Sequence, residues 1–317
     1  MIVPHNTLQN TLQRKDVTTM PKTPFILTND NYYSDEANQR YMSVSQFKDF
    51  AGTTSHGSCE EAALMKTKGI LPEQTTTAKL VGSFVDSYFE GTLDKFKENN
   101  KNDLYKKTGD KSLKAEYVDA ENIIARIHAD NLFSEYMSGQ TQVIMTGNML
   151  GTDWKIKMDQ YFPDDKIVDL KVMGSMDPIW SDRLHRKVTF IHHWGYDIQG
   201  AIYQQIVYQN TGKFLPFYIA CATKKTQTLP TNIEIIQVTQ PHLDAAFNYV
   251  KKNMPRILAI KAGTEQPRRC NACAYCYSTK VLCNPITIDS IIPAYRYIDE
   301  NEDSDDTEET ENGYRIF

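Results

Sequence analysis

No run of residues in this chain approaches the ~20 consecutive apolar positions that crossing a bilayer requires, so a membrane-spanning protein is not expected. The first sixteen residues, MIVPHNTLQNTLQRKD, have no basic region followed by an apolar one. No secretory leader is therefore read, and the expected location is the cytoplasm. No internal repeat is visible. Bases are missing from residues 299–311, DENEDSDDTEETE, which hold nine acids. That segment sets the sign of the formal net charge, −5 over 317 residues; without residues 299–317, 34 bases face 31 acids. The body is mildly basic, and residues 286–317 read as an acidic, disordered, solubilising tail. The remaining composition, 40% hydrophobic and 24% charged, is that of an ordinary globular protein and excludes fibrous or wholly disordered classes.

Six cysteines are present: Cys59, Cys221 and a run at Cys270, Cys273, Cys276 and Cys283. With no secretory leader, the run points to metal ligation rather than disulfides. Four thiols within fourteen residues suit Zn²⁺ or an iron–sulfur cluster, and reduced free thiols are the plain alternative. Cys59 is a distant fourth ligand if three of the run bind. Cys221 lies in an apolar strand and reads as core.

Residues 1–40 are polar and aperiodic and read as a flexible arm. Order is expected from Tyr41, with Ser43 or Ser45 capping a helix through Phe50. Helices follow at 59–68, 78–90, 113–129, 196–210 and 241–261. The segment 91–112 is lysine-rich and reads as loop. Strands are expected at 142–150, 154–162, 166–172, 214–223 and 233–238. The order of elements predicts an α/β fold with a central mixed sheet flanked by helices, filling one domain over 41–285.

The stretch DWKIKMDQYFPDDKIVDLKV, residues 153–172, reads as a β-hairpin turning at Pro163–Asp165. Period-two alternation sends Val168, Leu170 and Val172 to one face and Ile167, Asp169 and Lys171 to the other. On the first strand Trp154, Ile156 and Met158 oppose Lys155, Lys157 and Asp159. The hairpin thus brings Asp159, Asp169 and Lys171 together. Neighbouring carboxylates raise one another's pKa, and a divalent cation such as Mg²⁺ relieves the conflict. A hairpin whose charges are merely solvated fits the local pattern equally well.

Other constellations are weaker. Tyr196, Gln199 and Tyr203 share a helix face that suits a DNA backbone or a half-buried surface. Asp86 sits mid-helix, where aspartate is unfavourable unless it has a task. His192 and His193 are most simply ordinary residues at a helix entry.

In order, the pieces are Gly82-x-x-x-Asp86, Asp159, Asp169-Leu-Lys171 and Gln199-x-x-x-Tyr203. This series resembles the PD-(D/E)XK nuclease superfamily, specifically its RecB-like and RecE-like phage exonuclease branch, over residues 41–285. The resemblance implies a restriction-endonuclease-like core. It implies that Asp159, Asp169 and Asp86 hold Mg²⁺ or Mn²⁺, with Asp86 standing where RecB-like relatives have histidine. Lys171 matches the motif lysine, and Gln199 and Tyr203 match the Q-x-x-x-Y helix. Lys155, Lys157, Gln199 and Tyr203 are expected on the DNA backbone. A [4Fe–4S] cluster is implied on Cys59 with Cys273, Cys276 and Cys283, or alternatively with Cys270, Cys273 and Cys276; Zn²⁺ remains open. Also implied are 5′→3′ digestion of linear duplex DNA, a homo-oligomer, a phage or prophage origin and a single-strand annealing partner. Rival readings are a single-strand or end-trimming nuclease of the CRISPR-associated RecB-like kind, and an inactive DNA- or protein-binding module.

Overall fold

Strand β3, Lys166–Met173, puts apolar side chains on both of its faces, Ile167 and Met173 on one and Val168 and Leu170 on the other, and both are covered. A strand buried on two sides needs helices above and below it, and the chain supplies them in order. The computed structural model describes residues 25–72, 75–109 and 111–288. Its N-terminal helices are α1 (Asp35–Arg40), α2 (Val44–Ala51), α3 (Glu60–Thr67), α4 (Thr77–Phe89), α5 (Leu93–Asn99), α6 (Lys101–Leu104), α7 (Ala115–His128) and α8 (Asn131–Tyr136). Strands β1 (Gln140–Met149) and β2 (Thr152–Phe162) then lead into β3. A small hairpin follows, β4 (Ile179–Ser181) with β5 (Arg186–Val188), then α9 (Phe190–Trp194) and α10 (Tyr196–Thr211). The chain continues through β6 (Phe217–Thr223), β7 (Ile233–Val238), α11 (Gln240–Ala262) and α12 (Ala274–Ser278).

Five strands form one sheet in the order β1-β2-β3-β6-β7. Only β3 and β6 run parallel, in register from Ile167↔Phe217 to Met173↔Thr223; the other neighbours are antiparallel. The parallel pair demands a crossover, and α10 lies within it. On one face α2, α10 and α11 pack against Trp154, Ile156, Ile167 and Phe217. On the other, α4 and α7 pack against Val168, Leu170, Ala220 and Ala222. The fold is the expected mixed sheet between helical layers.

Two expectations change, and one alternative is decided. The arm was placed at 1–40, but residues 35–40 form α1, capped by the Ser34 hydroxyl, which accepts from the Ala37 N–H at 3.2 Å. Ala37 and Tyr32 are buried, so 25–40 belong to the body. The segment 91–112 carries α5 and α6 because Leu93, Phe96 and Leu104 reach the α4–α7 core from among the lysines. Ser43 caps α2, accepting from Gln46 N–H at 3.3 Å, whereas Ser45 is exposed. The acidic stretch 299–311 and residues 1–24 lie outside the described residues.

Helix α10 is buried almost all round, and Gly200 lets it approach the sheet: an added Cβ would sit 2.4 Å from Cδ1 of Phe217, itself fully buried. Gly82 on α4 faces open space. The same substitution should therefore act in opposite directions. Gly200→Ala is expected to cost about 1–2 kcal/mol, overpacking outweighing the gain in helix propensity. Gly82→Ala is expected to stabilise by about 0.5–1 kcal/mol. Denaturant midpoints test both, and shifts of the same sign would contradict the packing described.

Candidate active site

Strands β2 and β3 pair only at Gln160↔Val168, Tyr161↔Ile167 and Phe162↔Lys166, and then part. The next residue back on β2 is Asp159. Here strict alternation fails: Met158 and Tyr161 both enter the α10-side core. Opposite, Gln142 takes φ 55°. The break turns the Asp159 carboxylate into the opening fork, where its Oδ2 accepts the Leu170 N–H at 2.9 Å. A side chain thus satisfies a backbone donor that the missing ladder would have left unpaired. Asp159 is thereby fixed beside the residue before Leu170, which is Asp169.

Asp169 is 2% exposed. Its Oδ1 accepts from Gln199 Nε2 of α10 at 2.6 Å. Its Oδ2 lies against the Lys171 amine and is buried with no hydrogen bond of its own. The Lys171 amine also sits 5.3 Å from the Tyr196 ring centre. From the opposite layer α4 and its C-cap add Asp86 and Glu90, which line one cleft of about 510 Å³ with Asp159, Asp169, Lys171 and Gln199.

The electrostatics follow from crowding in a dry place. Burial first, then the Asp169 charge and Asp86, pushes the Asp159 carboxyl well above its ordinary range. Burial, then Asp169 and Glu90 acting against Lys171, raises Asp86 to about 7. Burial works against the Lys171 charge, but Asp169 and Asp159 outweigh it and hold the ammonium form above its ordinary range. Lys171, with Lys157 and Lys95 at the cleft wall, faces four carboxyl groups, Asp86, Glu90, Asp159 and Asp169. A buried carboxylate whose Oδ2 meets only the Lys171 amine, in one cleft with Asp159 and Asp86, offers the hard oxygen donors a divalent cation takes, so the residues fit Mg²⁺ or Mn²⁺.

Three expected DNA contacts are corrected. Lys155 is 1% exposed and points inward: its amine donates to the Tyr32 carbonyl and to Asn38 Oδ1, the latter at 2.8 Å. It pins the segment before α1 to the sheet and is not available to a phosphate. Gln199 and Tyr203 border the cleft, but their polar groups face protein. Gln199 orients Asp169, and Tyr203 Oη donates to the Lys157 carbonyl at 2.8 Å. Lys157 remains at the cleft wall. His192 bonds Thr189 and His242, and His193 bonds Ser55.

Lys48 and Tyr33 escaped the sequence reading. Lys48 donates to the Trp194 carbonyl at 3.0 Å, and its amine lies 5.7 Å from the Tyr196 ring centre. Burial, then Lys171, lowers it to about 8. Tyr33 lies within the stretch assigned to the arm yet borders the carboxylate cleft. Neither residue belongs to a spacing motif that would have marked it.

The sulfur atoms of Cys59, Cys270, Cys273 and Cys276 lie within 4.8 Å of one another. Cys59 and Cys270 stand 3.6 and 3.8 Å from Cys276. Cys273 caps α12, accepting from the Cys276 N–H, which brings the two sulfurs together at the turn. Cys283 is exposed and outside the group, correcting its inclusion among the ligands. Beside Cys59, Glu60 binds Arg256 through both oxygens at 2.7 Å, and Glu61 binds Arg269 at 2.8 Å. These pairs hold residues 256–276 against α3. Cys221 is fully buried, as expected of a core residue.

A strand fork carrying Asp159 and Asp169-x-Lys171, with a helix from each layer completing the cleft, defines the PD-(D/E)XK nuclease superfamily. Within it, residues 43–279 match the family described as "PDDEXK-like domain of unknown function (DUF3799)", and the chain belongs to that family. Among solved structures it is similar to a candidate exonuclease from Eubacterium rectale, at 50% identity and a TM-score of 0.80, covering 85% of this chain and 99% of that one. SSO0001 aligns over 73% of this chain and 92% of its own at 16% identity, with a TM-score of 0.27. No curated protein matches.

The raised Asp86 carboxyl has a sign that can be tested. An unfolded aspartate ionises near 3.8, and Asp86 in the fold near 7. Over that interval the fold holds a proton that the unfolded chain has released, so Asp86 makes the metal-free fold less stable as pH rises. In EDTA, Asp86→Asn should therefore gain stability relative to wild type between pH 4 and 7. Added Mg²⁺ should raise the wild-type Tm more at pH 8 than at pH 5.5. A gap between variant and wild type that does not change with pH would refute the assignment.

Proposed function

We propose that this protein is a metal-dependent DNA exonuclease that hydrolyses phosphodiester bonds. The observation that carries the reading is the fork itself. The Leu170 N–H holds Asp159 beside Asp169, and Lys171 and Asp86 border the same cleft. Asp159, Asp169 and Asp86 would hold Mg²⁺ or Mn²⁺. Bound there, the cation supplies Lewis-acid stabilisation of phosphoryl oxygens and a more acidic water.

The chain's own residues do the rest. Gln199 holds Asp169 through Oδ1, which leaves Oδ2 facing the Lys171 amine. Lys171 directs the attacking water and offsets the negative charge that builds on the phosphoryl group. Lys157, at the cleft wall, attracts the backbone without reading sequence. Tyr203 fixes the strand that carries Lys157 through its carbonyl.

The finer reading follows the RecE-type resemblance. It comprises 5′→3′ digestion of linear duplex ends in phage-type recombination, in a bacterial cytoplasm, by a homo-oligomer working with a single-strand annealing protein. No helix among the described residues is long and apolar enough to cross a membrane. For the four thiols the reading is Zn²⁺. Four sulfurs at ~2.3 Å from one ion lie about 3.8 Å apart, which matches the 3.6 and 3.8 Å separations. A cluster that spreads its thiolates over several irons needs wider spacing.

Linear duplex and single-stranded DNA, labelled at the 5′ or 3′ end, should be degraded with Mg²⁺ or Mn²⁺. Lys171→Ala should be slower by at least ~10²-fold. Absence of degradation by wild type with either metal would sink the nuclease reading, and release of 3′-labelled nucleotide first would reverse the polarity. Metal analysis should find one zinc per chain, lost in Cys276→Ala and kept in Cys283→Ala. A brown anaerobic preparation absorbing near ~400 nm would replace zinc with iron–sulfur.

A further inference from the structure

A single exposed aromatic side chain is ordinary, but Tyr33 is not merely exposed. The residue is 70% exposed, and it borders the same cleft as Asp86, Asp159 and Asp169. It is also held in place. Tyr32, its buried neighbour, meets it edge to face at 4.9 Å between ring centres. The Tyr32 carbonyl accepts from the buried Lys155 amine, and the Tyr33 carbonyl accepts from Asn38 Nδ2 at 3.2 Å. The Lys157 amine lies 4.7 Å from the centre of the Tyr33 ring. The result is a fixed aromatic surface and a cation at the mouth of a carboxylate-lined cleft, on a segment without which the cleft would lack that wall.

The Lys157 amine lies over one face of the ring, and an exposed aromatic face accepts any nucleobase, because every base has a π-surface. A cation beside it meets the phosphate that the same nucleotide carries. We infer that Tyr33 is a nucleobase-stacking residue: it holds the unpaired base next to the scissile phosphate, with Lys157 on that nucleotide's backbone. This rests on the nuclease reading and deepens it, because it makes the segment before α1 part of the substrate site. The base must leave the duplex to meet the ring, so recognition there tolerates sequence and requires an unpaired nucleotide.

The test uses single-stranded oligonucleotides carrying one abasic position at a time over the three nucleotides around the cleaved bond. With wild type, one position should raise KM by roughly 5- to 150-fold, the span of base–aromatic stacking, with kcat changing much less. Tyr33→Ala should raise KM on the intact strand by a similar factor and respond no further to the abasic position. Tyr33→Phe, which keeps the ring, should behave as wild type. Wild type indifferent to every abasic position, or Tyr33→Ala as sensitive as wild type, would overturn the inference.

A second readout separates this outcome from failure of the nuclease reading. Lys171→Ala with Ca²⁺ should quench 2-aminopurine placed at the sensitive position, and adding Tyr33→Ala should abolish the quenching. If wild type cleaves nothing, 2-aminopurine moved one position at a time along the strand should still be quenched at one position, and that quenching decides the role of Tyr33. Its absence would overturn the role.

Discussion

The hydrogen bond from the Leu170 N–H to the Asp159 carboxylate is the constraint on which the rest depends. It exists because β2 and β3 stop pairing after Gln160↔Val168. A regular ladder would have spent that N–H on a backbone carbonyl and sent the aspartate elsewhere. The fork instead puts a carboxylate into the sheet and beside a second one. Burial and the neighbouring Asp169 charge both disfavour the ionised form of Asp159, and Lys171 only partly offsets them. A stable fold that keeps such a conflict has a use for a cation or a substrate that resolves it.

The helical layers hold this arrangement rigid. Helix α10 reaches the sheet closely at Gly200, and Gln199 and Tyr203 then touch the strands themselves. They act by positioning Asp169 and Lys157. From the other side α4 brings Asp86, while Lys155 secures the segment carrying Tyr32 and Tyr33. Away from the cleft, the ion pairs of Glu60 and Glu61, beside the Cys59 group, tie α11 and the stretch after it to α3. That clasp closes the fold around the sheet and leaves the carboxylate cleft open.

Much of this was legible in the sequence because the signals are periodic or spaced. Alternation located the hairpin, and the Asp169-Leu-Lys171 spacing with Asp159 and Asp86 identified the carboxylate set. What escaped depends on events that pattern does not encode. The fork breaks pairing in the middle of a β-periodic run, so Asp159 reaches its place by interrupted alternation rather than by regular alternation. Lys155 looks like a surface lysine and is buried, because its partners Tyr32 and Asn38 lie more than a hundred residues earlier. Helices α5 and α6 hide their few apolar contacts among lysines, and α1 is short and polar. Cys270 rather than Cys283 joins the group, its sulfur 3.8 Å from that of Cys276, which the spacing alone left open.

Crystals grown with Mn²⁺ and measured at the manganese absorption edge address the central point directly, because the anomalous signal locates the ion independently of any activity. Manganese is expected in the fork, bonded to carboxylate oxygens of both Asp159 and Asp169. A protein saturated with Mn²⁺ that holds none between those two side chains would contradict the metal centre proposed for it.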